Sequence, residues 1–162
     1  MEILLQAGAT VDQGAPGGVT ALMCAAQDGH SATVQALIQG GARVDQARHD
    51  GVTALLLAAL DGHSVTVQVL LRAGARADQV NARGWTGLMM AAYKGDFSTA
   101  HALLHAGANF RLTNHNGQTA LSIATAGKHE ELIKLLHRED ADAGVSNSNG
   151  NSLAGYFASW FG

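Results

Sequence analysis

A chain of 162 residues, 47% hydrophobic and 14% charged, is long enough for one packed domain, and a net charge of −3 is too small to mark a nucleic-acid or acidic-membrane binder. Its one cysteine, Cys24, excludes an intramolecular disulfide framework. No apolar run approaches the roughly 20 residues that a membrane-spanning helix needs.

In chain order, residues 1–14 (with EILLQAGATVD at 2–12) read as the second half of a unit whose first helix is absent. Such a partial unit covers its neighbour incompletely. The expectation is that apolar positions near Leu22 and Met23 are partly wet and invite weak self-association at that end. The missing half also suggests a piece of a longer protein. The opening Met-Glu and a brief apolar run do not resemble a secretory signal, so an intracellular, cytoplasmic setting is expected.

From residue 15 onward one pattern recurs four times, over 15–47, 48–80, 81–113 and 114–138. Gly18, Gly51, Gly84 and Gly117 stand 33 residues apart, each followed by a threonine (Thr20, Thr53, Thr86, Thr119) and then a leucine (Leu22, Leu55, Leu88, Leu121). Each threonine is placed to cap a short alanine-rich helix, its hydroxyl accepting an orphan N–H. Glycines at 29, 62 and 95 suit a left-handed stop to that helix. A second apolar run follows: Val34, Leu37 and Ile38; Val67, Leu70 and Leu71; Ala100, Leu103 and Leu104. Spacings of three and four predict one buried stripe. Two positions weaken the pattern, Gly87 in a first helical turn and Lys128 where the other units have glycine. Cys24 lies in a first-helix run and is expected to be buried and inert.

Past KHEELIKLLHRED, whose charges suit a capping unit with a wetted outer face, the chain turns polar. Residues 139–152 read as a linker and 153–162 as an aromatic tail containing Tyr156, Phe157, Trp160 and Phe161. The tail lacks the Lys and Arg that accompany interfacial helices, which argues against membrane binding.

A fixed period of this size marks a stacked solenoid, in which each unit buries its apolar face only against its neighbours. The segments GVTALMCAAQDGH, GVTALLLAALDGH, GWTGLMMAAYKGD and GQTALSIATAGKH resemble the ankyrin repeat, from about Met1 to Arg138. Alanine or glycine replaces the family proline, and Met23, Leu56, Met89 and Ser122 replace the family histidine. The resemblance implies an all-α solenoid of antiparallel helix pairs with projecting loops, four repeats plus a partial one. It implies a non-enzymatic protein-binding scaffold or adaptor; the alternatives are a membrane-recruited adaptor acting through the tail, or a regulatory domain of a larger enzyme.

Residue chemistry points the same way. His30 and His63 occupy equivalent places in adjacent units, about 8–10 Å apart, too far to share one ion. His101 and His105 pair at i and i+4, but Gln68, Arg72, Lys134 and Arg138 flank them, so no metal site is expected. No nucleophile elbow, phosphate loop or dinucleotide fingerprint occurs, so neither catalysis nor a cofactor is expected. In proteins of this kind, partners dock on loop tips and the exposed ends of first helices. On this chain those positions include His49, Asp50, Val52, Leu60, Asp61 and Gln118, with Arg83, Trp85, Tyr93 and Lys94 as the leading patch. Aromatic and arginine side chains carry a disproportionate share of interface energy.

Overall fold

The computed structural model describes residue 12 and residues 14–145. Among them stand eight helices in four antiparallel pairs. The first helices are α1 (Ala21–Gln27), α3 (Ala54–Asp61), α5 (Gly87–Lys94) and α7 (Ala120–Gly127). The second helices are α2 (Ser31–Gln39), α4 (Ser64–Arg72), α6 (Phe97–His105) and α8 (Glu130–Val145). First helices pack on first helices and second on second along the stack, with the two layers joined within each pair.

Local chemistry sets each start and stop. Thr20, Thr53, Thr86 and Thr119 are extended and accept from the backbone N–H three residues on, at 3.2–3.4 Å. Left-handed Gly62 and Gly95 end α3 and α5, and Lys128 takes the same conformation (φ 59°) to end α7. The final turn therefore closes without glycine.

The core runs between the layers. Leu22, Leu55 and Leu88 are buried in the first layer, and Val34, Leu37, Val67, Leu70, Ala100 and Leu103 in the second. Ile38, Leu71 and Leu104 are half-buried at the edge of the same stripe. Alanines in the second turn of the first helices (Ala26, Ala59, Ala92) are fully buried, which lets successive helices approach closely.

Polar contacts repeat with the stack. Asp12 accepts from Arg43 N at 2.9 Å, Asp45 from Arg76 N at 3.1 Å and Asp78 from Asn109 N at 2.7 Å. The first two also pair with the arginine side chain. Arg111 then reaches Asp140 on α8 at 2.8 Å.

Three expectations need correction. Leu22 and Met23 are only 2% and 1% exposed, so the N-terminal end shows no wet apolar pair there to drive self-association. What is open is Ala21 and Cys24, whose counterparts (Ala54 and Leu57, Gly87 and Met90, Ala120 and Ile123) are buried. Those counterparts face the preceding first helix, and no such helix precedes α1 among the described residues. Cys24 is thus exposed rather than buried. Finally, α8 continues through Val145, so residues 139–145 are helical and the linker boundary after Arg138 falls inside a helix. Polar side chains on a solvent-facing helix read like a linker when only composition is weighed. Residues 146–162, with the aromatic tail, lie outside the described residues, as does nearly all of the partial unit.

Candidate partner-binding site

The loops between units are hairpin tips closed by backbone bonds: Arg48 N to Val52 O at 2.9 Å, Asn81 N to Trp85 O at 3.1 Å, Asn114 N to Gln118 O at 3.0 Å. The asparagines add a second closure. Asn81 Oδ1 accepts from Arg83 N and Trp85 N at 2.9 and 3.1 Å, and Asn114 Oδ1 from Asn116 N and Gln118 N at 2.9 and 3.0 Å. The second unit has Arg48 at that position and closes its tip by pairing Arg48 with Asp50. The hydrogen bond donated by Arg48 holds the Asp50 carboxyl below the ordinary aspartate range and the guanidinium above its own.

Tips also bind one another. His49 N donates to Gly17 O at 3.3 Å, Ala82 N to Asp50 O at 2.8 Å and His115 N to Arg83 O at 3.1 Å. This is why glycine recurs at 51 and 84. Both have positive φ, and a Cβ on either would meet the backbone of the next tip at 3.1 Å. The tips form one continuous edge, from which His49, Asp50 and Arg83 project into solvent. The position after each glycine turns inward. Val52 and Trp85 are half-buried against the core, and Gln118 Oε1 is occupied by Asn114 Nδ2 at 3.0 Å.

The central first helices reach solvent only at their last turn. Ala54–Ala59 and Gly87–Ala92 are buried throughout, whereas Leu60 is 38% and Tyr93 64% exposed, with Asp61 and Lys94 exposed beside them. The structure brings Trp85 and Tyr93 together: their rings meet edge to face, 6.1 Å between centroids at 83°. Trp85, just before the cap, and Tyr93, in the last turn, thus bracket α5 on one side. Arg83 and Lys94 stand next to them in sequence, and Leu60 holds the position of Tyr93 one unit earlier. His49 and Asp50 belong to the neighbouring tip.

Sequence reasoning missed one device of this edge. His63 Nε2 donates to Gln27 O at 2.9 Å and His129 Nε2 to Tyr93 O at 3.3 Å, linking the start of α4 to the end of α1 and the start of α8 to the end of α5, each the first helix of the unit before. Those carbonyls are orphans of a helix C-terminus. The imidazole sits on the glycine that ends the first helix of the unit before, so a Cβ at Gly29 would come within 2.6 Å of His63 Nδ1. Recurrence of histidine at 30, 63 and 129 was the available signal. Asp96 fills that place in the third unit and instead caps its own helix through Thr99.

On the opposite, outer layer, Phe97, His101 and His105 stack along α6, with ring centroids 6.0 and 6.2 Å apart, beside a shallow groove containing Gln68 and Arg72. Among the described residues no three His, Cys, Asp or Glu side chains gather to hold a metal ion. Nor is any described helix long and apolar enough to cross a membrane. No curated protein matches this sequence. A family model described as ankyrin repeats, in three copies, matches residues 1–83 and 88–162.

Proposed function

The chain belongs to the ankyrin-repeat family, and from that premise we propose that it is a non-enzymatic scaffold or adaptor whose partner docks on the tip edge and the last turns of the first helices, centred on Arg83, Trp85, Tyr93 and Lys94. Ankyrin repeats are in general protein–protein interaction modules; the placement on this chain rests on one observation. Tyr93 is 64% exposed yet held edge-on by half-buried Trp85. A large aromatic surface is thereby presented in a fixed orientation, so binding loses little side-chain entropy. Arg83 and Lys94, close to the pair in sequence, add two exposed cations.

Affinity capture with mass spectrometry identifies a partner, and titration of variants with that partner tests the site. Tyr93→Ala is the cleaner variant because the residue is exposed: the expected stability change is under about 1 kcal/mol. Binding should weaken by about 2 kcal/mol or more, as for a hot-spot aromatic. Trp85→Ala should weaken binding too, with a larger stability loss because its ring also packs on the core. A Tyr93→Ala protein that binds the partner normally would remove this site.

A further inference from the structure

Resting on that reading, we propose that the docked segment is an extended, bipolar peptide: basic residues over the first two repeats, acidic residues over the last two, apolar side chains between. The charge that ends each first helix changes sign along the stack. Asp28 is the C-cap of α1 and Asp61 the last residue of α3; Lys94 is the last residue of α5 and Lys128 the C-cap of α7. All four are exposed. Among the described residues none of them joins an ion pair, although arginines and aspartates elsewhere in the stack do. Leu60 and Tyr93 lie between the two signs.

The fold gains nothing from two of these charges and carries a third residue, Lys128, on a strained backbone. A carboxylate at a helix C-terminus faces the negative end of the helix dipole, so Asp28 and Asp61 work against α1 and α3. Lys128 is the one non-glycine residue with positive φ among the described residues, at a place where Gly29, Gly62 and Gly95 adopt that conformation without strain. Residues that break a local rule with no gain inside the fold point to a role outside it. The complementary ligand then follows from charge. Successive first helices pack about 8–10 Å apart, so four positions span roughly 25–30 Å. An extended chain covers that with about eight residues at 3.3 Å each.

The test selects a phage-displayed library of random twelve-residue peptides on the 162-residue chain, with counter-selection on Tyr93→Ala. Enriched peptides should carry Lys or Arg at one end and Asp or Glu at the other, around an apolar centre. As synthetic peptides they should lose about tenfold in affinity on Asp28→Lys/Asp61→Lys, the scale of two reversed exposed charge contacts. Replacing the peptide's basic end by glutamates should restore binding to that variant. The variant's Tm should equal or exceed that of the parent, since both changes favour the helix termini. Lys128→Gly supplies a second check: a raised Tm with about threefold weaker binding. Peptides of one sign or of mixed charge, indifferent to the aspartate changes, would overturn the bipolar ligand and leave the aromatic site standing. Peptides recovered equally on Tyr93→Ala, or no enrichment at all, would overturn both.

Discussion

Asp50 and the asparagines at 81 and 114 close equivalent tips with different chemistry. An asparagine amide holds its loop at any pH, whereas the second tip relies on a carboxylate that accepts from Arg48 and from Val52 N at 3.3 Å. The folded-state pKa of Asp50 is lowered, chiefly by the hydrogen bond from Arg48. Its contribution to stability is therefore complete above the ordinary aspartate range and is lost as pH falls through the lower folded value. The pair is exposed, so that contribution is small. A carboxyl titration followed by NMR should show Asp50 protonating below the ordinary aspartate range; a midpoint within or above that range would contradict the pairing. Replacing Arg48 by asparagine should close the tip as Asn81 and Asn114 do and return Asp50 to the ordinary range.

At the scale of elements, each first helix is about two turns long and would not persist alone. Its threonine cap and left-handed stop define its ends, and burial on both neighbours holds it. The weakest start is α5, which begins at Gly87 where the other three begin with alanine. Gly87 does not have positive φ, and an added Cβ would lie 3.4–3.6 Å from Leu103 and Ala59, ordinary contact distances. Gly87→Ala should therefore stabilise the protein by about 0.4–1 kcal/mol, mainly by restricting the unfolded chain. Urea denaturation reads the change directly, and a lower midpoint would mean that Leu103 cannot yield. The same logic explains α8. Its residues 139–145 have no proline and remain helical, fastened by Arg111 to Asp140.

At the scale of the molecule, every unit depends on its neighbours, so a core defect in one repeat weakens those beside it. Leu70 is fully buried in α4, which packs on both α2 and α6. Leu70→Ala should lower stability by about 2–5 kcal/mol through the cavity it leaves. The binding edge lies on the other layer and keeps its chemistry, so peptide affinity below the unfolding transition should stay near that of the parent. Thermal denaturation and titration of the same preparation check both halves of the expectation. Loss of affinity in the fully folded variant would show that the edge is coupled to the outer layer.

Periodicity alone determined the threonine caps, the glycine stops and the buried stripe through Val34, Val67 and Leu103, because each is a local rule repeated at one spacing. The same alignment singled out Trp85 and Tyr93 as departures from the repeat. It did not reveal that their rings touch, since residues eight apart meet only when both side chains lean along one helix. Nor could a local rule expose Cys24, which occupies the register of Leu57 and Met90 and differs from them only in having no first helix before it among the described residues. The histidine links from His63 to Gln27 and from His129 to Tyr93 likewise span 36 residues and exist only once the units are stacked. Exposure and contact between repeats belong to the assembled stack, because burial here is a property of what the neighbouring unit covers.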